Sequence, residues 1–335
     1  MSYHLKIKKI QRALDHLSPH ESHCTLCPHE CGADRKNGEK GYCESGMHAK
    51  LSHAVLHFGE EPVLSGSQEY SSAIFDTEST PAGSGTLFFS GCNLKCLFCQ
   101  NYQLSWFNQG SEYTPTELAQ AILKLQDRGA LNINLVSPMH FLIPILRSLE
   151  LAYKEGLRLP VVYNTNAYEK VEILILLEGI IDIYLPDLKF YSSLAARTFC
   201  GKSDYFQHAS LAIKEMYRQK PDLRFTDKKT AQEGLIIRHL FLPRMLKDSI
   251  KIIEWIAGNV SLSIGLSLMS QYIPCFRAPE TIQNKMSPED YRHGVEQAQS
   301  LGFETLFIQP EPFEKAEHLN PDFDKKTPFK WRKKY

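Results

Sequence analysis

The sequence predicts an α/β fold, a parallel sheet with helices outside it, preceded by a small Cys-rich module. Three observations carry that expectation. Short apolar runs alternate with helix-patterned segments about six times between Gly85 and Ile308. Cys92, Cys96 and Cys99 follow directly on the first of those runs. Four further cysteines, Cys24, Cys27, Cys31 and Cys43, crowd the stretch before it.

Residues 1–64 read as a Cys-rich N-terminal metal-binding module, short on long periodic segments and rich in Cys, His and Gly. Residues 65–84 are polar, with Ser, Gly and Pro in clusters, and read as a linker or loop insertion. Residues 85–310 form the core. Gly85 to Ser90 is a buried strand that delivers the chain into the cysteine loop. Thr114, Pro115 and Glu117 make a capping box with Pro at the first helical position, and Leu118, Ile122 and Leu125 continue at helical spacing.

A strand at Asn132–Val136 leads to a helix from Leu142 to Tyr153, and a strand at Pro160–Tyr163 to a helix from Val171 to Leu177. Ile181–Leu185 is the fourth strand, and the helical region Ser192–Arg218 breaks near Gly201. Leu235–Phe241 is the fifth strand, with a helix through Ile250 and Trp255, and Leu262–Leu268 is the sixth. A helix at Pro288–Leu301 and a run at Thr305–Ile308 close the series. Residues 311–335 are a C-terminal extension whose basic run, Lys325 to Lys334, reads as a solvated tail. In such folds the chemistry gathers at the C-terminal ends of the strands, which is where the three-cysteine loop falls.

The bulk numbers narrow the class. The chain has 335 residues, 43% hydrophobic and 23% charged, enough for one large α/β domain and a smaller module. Lys plus Arg equals Asp plus Glu at 38 each, so net charge points to neither a nucleic acid nor a membrane surface. Met1 to Leu14 lacks the apolar core of a signal peptide, and no apolar run approaches the ~20 residues of a membrane helix. Nine cysteines without an export signal predict metal binding or catalysis in the cytoplasm, not disulfides.

Cys92, Cys96 and Cys99 have the spacing C-x3-C-x2-C. Three thiolates so close together can hold three irons of a [4Fe–4S] cube, leaving the fourth iron open. A closed site stores electrons or folds a domain, whereas an open position binds and activates a small molecule. Half of a zinc knuckle is the competing reading, disfavoured because zinc pairs come as C-x2-C and take four closed ligands. Phe98 supplies an aromatic face beside the third cysteine and Gly91 a permissive entry to the loop.

The run from Phe88 to Tyr102 resembles the signature of the radical S-adenosylmethionine (SAM) superfamily, and within it the subgroup related to the activating enzyme of pyruvate formate-lyase. The resemblance extends over nearly the whole chain, through Asn132–Phe141, Val162–Asn166, Asp182–Lys189, Ile237–His239 and Leu268–Tyr272. It implies a partial (β/α)6 TIM-like barrel. It also implies an oxidoreductase chemistry in which Cys92, Cys96 and Cys99 bind the cluster and the open iron takes the amino and carboxylate groups of SAM. One electron from a reduced flavodoxin or ferredoxin then yields methionine and a 5′-deoxyadenosyl radical, which abstracts hydrogen from the substrate. That substrate is unnamed, and one version is a glycyl-radical enzyme for which this chain is the activase.

The resemblance also marks strand-end residues as cofactor-binding. The usual Gly-Gly-Glu-Pro that holds the SAM amino group is replaced here by Val136 to His140, so Ser137, His140 or nearby backbone carbonyls stand in its place, with His140 equally readable as a packed or surface histidine. Asn164 and Asn166 either line the site or cap the following helix. Asp187 and Lys189 lie near the methionine moiety in the resembling enzymes, with a rim ion pair as the bland alternative. Arg238 in an apolar strand needs a ligand carboxylate or a buried acid such as Asp187. Arg238 and Tyr272 are the catalytic candidates, with Tyr272 equally readable as a packed ring whose hydroxyl is satisfied, and Gln271 beside it faces the substrate. Cys200 and Cys275 read as small apolar residues.

Cys24, Cys27, Cys31 and Cys43 form a four-ligand set, C-x2-C-x3-C-x11-C, with Pro and Gly turns between. Sixty weakly hydrophobic residues call for a staple. Zinc makes it a structural site and a second [4Fe–4S] cluster makes it an electron relay or substrate centre. His23 or His29 is available to replace one ligand. The alternative to a radical enzyme is a non-catalytic iron–sulfur electron carrier or a zinc-stapled binding module, which has no need of a barrel whose first strand feeds an open three-cysteine loop.

Overall fold

The computed structural model describes residues 3–66, 82–309 and 321–329, and the backbone alone of 74–75 and 332–333. Most of the expected linker, residue 310 of the expected core, and residues 311–320, 330–331 and 334–335 of the expected C-terminal extension lie outside the described residues.

Seven parallel strands carry the core: β2 (Ser84–Phe89), β4 (Ile133–Val136), β5 (Val161–Thr165), β6 (Ile183–Pro186), β7 (Ala231–Leu240), β8 (Gly265–Met269) and β9 (Thr305–Ile308). Two more extend the β2 edge antiparallel, β1 (Ala49–His57) on β2 and β3 (Ser111–Tyr113) on β1. The order is β9-β8-β7-β6-β5-β4-β2-β1-β3. Among the described residues the α-helices of five residues or more are α1 (Tyr3–Leu17), α2 (Pro115–Asp127), α3 (Leu142–Lys154), α4 (Val171–Ile175), α5 (Ser193–Cys200), α6 (Tyr205–Gln219), α7 (Leu246–Asn259) and α8 (Pro288–Leu301). The partial TIM-like α/β barrel expected from the sequence is the fold observed.

Local chemistry explains the boundaries. Thr114 accepts from the Glu117 amide while the Glu117 carboxylate accepts from Thr114, closing the capping box that starts α2. Gly201, at φ +71°, takes the left-handed cap that ends α5 and lets the chain turn into α6. Strand side chains alternate across the sheet. Leu135, Tyr163, Tyr184, Ile237 and Leu268 pack outward among the helices. Val162, Ile183, Leu185, Ile236 and Phe307 pack inward in a separate cluster.

The N-terminal residues depart from the sequence expectation. The 15-residue helix α1 occupies a stretch read as short on periodic segments, burying Ile10, Ala13 and Leu17 against α3. Interspersed lysines mask its apolar stripe, and one of them, Lys6, is itself buried beside Asp182 and Tyr153. β1 then joins the main sheet, and Leu64 inserts among the inward-facing strand residues. Residues 1–64 therefore share the hydrophobic core of the barrel. Among the described residues no helix is long and apolar enough to cross a membrane.

Beyond β5, Glu169 is buried and accepts hydrogen bonds from the hydroxyls of Tyr163 and Thr165. Burial pushes its carboxyl up to about 7, against the pull of those two hydroxyls. The folded state thus holds the proton more tightly than the unfolded chain. The resulting stabilisation is full below the unfolded value and is lost as pH rises through about 7. A Glu169→Gln variant mimics the protonated acid and should escape that loss, gaining up to about 3 kcal/mol on wild type by pH 8. Urea titrations at pH 5 and pH 8 test this; parallel pH profiles for the two proteins would refute it.

Candidate active site

A cleft of about 260 Å3 opens at the C-terminal ends of the parallel strands. The cysteine loop forms one wall, with Cys92, Cys96, Phe98 and Cys99. The strand-end residues Ser137, Asn164, Asn166, Asp187, Lys189 and Arg238 line it as well. Tyr272 and Gln271 close the side after β8. The structure thus brings together nearly every residue singled out in the core.

The loop is held by donors aimed at sulfur. Cys92 Sγ accepts from the amides of Leu94 and Lys95 at 3.3 and 3.4 Å and from Asn166 Nδ2 at 3.6 Å. Asn166 also donates to Asn93 Oδ1 at 2.8 Å, and Asn93 in turn donates to the Tyr168 carbonyl. Gly91 has φ +79°, and a Cβ there would sit 2.4 Å from the Cys43 carbonyl, so no side chain fits where the N-terminal cysteines approach the loop. Phe98 is buried edge-on against Phe190, Phe199 and Tyr272.

Burial raises the Cys92 thiol and pushes Cys99 up to about 12. A hydrogen bond with Cys200, followed by burial, raises Cys96. These thiols lose their protons readily only when a positive metal centre displaces them. Three such sulfurs on one cleft wall, one of them ringed by N–H donors, fit the thiolate ligands of an iron–sulfur cluster.

Arg238 organises the strand-end residues. Its Nε donates to Asp187 at 2.7 Å, Nη2 to Asn164 Oδ1 at 2.6 Å and Nη1 to Glu60 at 3.2 Å. Lys189 donates to the second Asp187 oxygen at 2.6 Å. Burial works against charge on Asp187, but Arg238 and Lys189 outweigh it and hold its carboxyl below the ordinary value. Asp187 in turn keeps Lys189 charged against the same burial. Tyr205 fixes this corner by donating to the carbonyls of Asn166 and Asp187 at 3.0 and 2.8 Å.

Glu60 was not foreseen. It is buried, accepts from Asn134 Nδ2 at 3.0 Å as well as from Arg238, and is pushed by burial up to about 7. Gln309 was also missed; it donates to Gln271 Oε1 at 3.0 Å. The available signal was the inward face: Asn134, Asn164, Asp187 and Arg238 lie at successive inward positions of neighbouring strands, so four polar side chains share that face.

Three expectations need correction. His140 does not line the cleft; it is buried with Nε2 against the Ser90 carbonyl at 2.8 Å, and burial lowers its pKa to about 4. Tyr272 spends its hydroxyl on the Ile282 carbonyl at 2.8 Å, so its ring is wall and not an acid or base. His29 bonds the Asn93 carbonyl at 2.6 Å and stacks on Tyr42, away from any ligand role.

Of the N-terminal cysteines, Cys24 and Cys43 are buried, Cys27 is half-buried and Cys31 exposed. Arg35, buried, donates to Cys24 Sγ at 3.2 Å and Cys43 Sγ at 3.6 Å. Its other amino group donates to the His140 carbonyl at 2.5 Å, tying the cysteine-rich segment to the loop after β4. Among the described residues no three His, Cys, Asp or Glu side chains converge as the ligands of a single metal ion.

Removing one partner from the Arg238 cluster leaves buried charge uncompensated. Arg238→Met should cost about 3–5 kcal/mol in chemical denaturation. Adding Glu60→Gln should recover part of that loss, since one stranded carboxylate is then neutral. Strict additivity of the two substitutions would show that the residues are not coupled.

The Radical SAM superfamily matches residues 86–221. An uncharacterized protein of Methanocaldococcus jannaschii is 31% identical over 296 residues, which are 85% of this chain and 76% of that protein. Among solved structures, Streptococcus suis SuiB bound to S-adenosylmethionine aligns with TM-score 0.47 and 16% identity over 65% of this chain and 48% of its own, so the chain spans about half that protein. The enzyme anSMEcpe with bound AdoMet aligns with TM-score 0.44 and 14% identity over 65% and 61% of the two chains. With the family signature lying on the strand and loop that bear Cys92, Cys96 and Cys99, this chain belongs to the radical SAM superfamily.

Proposed function

We propose that this protein reductively cleaves S-adenosylmethionine and abstracts hydrogen from a substrate held in the cleft. The observation that carries the reading is the cleft itself, where three loop thiols and the charged strand-end residues line one cavity at the C-terminal ends of a parallel sheet. Cys92, Cys96 and Cys99 would hold a [4Fe–4S] cluster, and Asn166 with the Leu94 and Lys95 amides would orient Cys92. When bound, such a cluster with one open iron takes SAM and, given one electron, supplies a carbon radical for hydrogen abstraction.

The remaining work belongs to side chains. Lys189 presents an ammonium beside Asp187 that suits a ligand carboxylate, while Arg238 fixes Asp187 so that the pair does not collapse into another rotamer. Asn164 stays oriented by the same guanidinium. Ser137, at φ +55° directly after β4, or the adjoining carbonyls would meet the SAM amino group where Gly-Gly-Glu-Pro is absent. Burial of Phe98 and Tyr272 keeps water from that side. A flavodoxin or ferredoxin would supply the electron, and free thiols throughout suit a reducing cytoplasm. A glycyl-radical protein as substrate rests on family resemblance alone. Cys24, Cys27, Cys31 and Cys43 would bind a second metal, zinc or iron–sulfur, with Arg35 donating to two of the sulfurs.

Anaerobic reconstitution followed by dithionite and SAM should give 5′-deoxyadenosine and methionine in equal amounts. A Cys96→Ala variant should lose that activity entirely. A fully loaded wild-type protein that cleaves no SAM would sink the reading. In a Cys92, Cys96 and Cys99 triple alanine variant, iron should fall by about four per chain. What metal remains identifies the N-terminal site, and a metal-free triple variant would refute that site.

A further inference from the structure

The outer side of the cysteine loop carries a row in which cations and aromatic rings alternate. Lys202 Nζ lies 4.7 Å from the centre of the Tyr42 ring, and Lys95 Nζ lies 5.1 Å from that ring and 5.8 Å from Trp106. The Arg277 guanidinium is 5.2 Å from Trp106 and 5.0 Å from Phe276. Phe276 stacks on Tyr102 at 4.9 Å and meets Phe107, which is 56% exposed.

This row is the skin of the loop itself. Lys95 stands between Cys92 and Cys96. Trp106 Nε1 donates to the Cys96 carbonyl at 3.0 Å, and the Arg277 amide donates to the Leu97 carbonyl at 3.1 Å. Tyr42 adjoins Cys43, so the row also reaches the N-terminal cysteines. Asp204, the acid two residues from Lys202, is turned to the Tyr168 hydroxyl at 3.1 Å and to His208.

We propose that this row is the docking surface of an acidic protein that carries one electron. The inference rests on the reading that the loop holds a redox cluster. Transfer from the reduced carrier takes one electron off its cofactor and puts one on the cluster, and that exchange weakens steeply with distance. The carrier must therefore seat close to the loop, and the cleft face is taken by the substrate side. Phe107 and Arg277 are exposed and the other rings of the row half-buried, and aromatic rings with arginine are enriched at protein interfaces. Three clustered cations give this face a local positive potential that the zero formal net charge of the chain does not cancel, and that potential attracts an acidic partner. Bases of a single-stranded nucleic acid also stack on such rings. Position over the cysteine loop favours the electron carrier.

The test compares two reductants on full-length reconstituted protein, following cluster bleaching in the visible. In a Lys202→Glu, Arg277→Glu double variant, dithionite should reduce the cluster at the wild-type rate. Reduction by a reduced flavodoxin should slow about 10-fold at ~50 mM salt, and the gap should close by ~300 mM. A milder Lys202→Gln, Arg277→Gln pair should fall between the two. Unchanged flavodoxin rates in both variants would overturn the docking surface. Loss of binding to a single-stranded RNA probe, with flavodoxin rates intact, would overturn it in favour of nucleic acid. Absence of any bleaching in wild type with dithionite would instead overturn the reading that the loop holds a cluster.

Discussion

The guanidinium of Arg238 is the constraint on which the site depends. A cation inside a sheet carries a desolvation penalty of several kcal/mol that only well-placed partners offset. Here the partners come from three other segments: Asn164 in β5, Asp187 after β6 and Glu60 from the segment after β1. Each must be present for the others to be tolerable. That mutual dependence fixes the strand ends relative to one another, sets Asp187 in place for Lys189, and ties the N-terminal third of the chain to the cleft.

The sequence made the sheet legible because parallel strands buried on both faces read as compact apolar runs, and each was bounded by a turn or cap with plain chemistry. Thr114 with Glu117, and Gly201, are examples where the residue types alone set the boundary. The cysteine loop was legible for the same reason, its chemistry being local in sequence. Helix α1 was not, since lysines interrupt its apolar pattern, and one of them, Lys6, is buried with its tip on a carboxylate far along the chain, Asp182. Glu60 was hidden for a related reason. Its partners lie 74 and 178 residues away, and nothing in its own neighbourhood signals a buried acid. His140 and Tyr272 show the converse failure: both stand next to site residues in sequence, yet each directs a polar atom to a backbone carbonyl that no local pattern reveals.

The cysteine-rich segment and the loop after β2 are built as one surface. Gly91 leaves no room between Cys43 and the loop, His29 bonds the Asn93 carbonyl, and Arg35 spans from Cys24 and Cys43 to the carbonyl of His140. A change at one cysteine set therefore meets the other through rigid, buried contacts, not through a linker. The loop presents different chemistry on its two sides. Toward the cleft it offers sulfur and the buried Phe98 ring; outward it offers Lys95 and the Trp106 indole. In the proposed chemistry the electron and the hydrogen atom come from different partners, and keeping those approaches apart lets a reactive radical meet the substrate and nothing else. The thin loop, buried on one side and cationic on the other, supplies that separation with eight residues from Cys92 to Cys99.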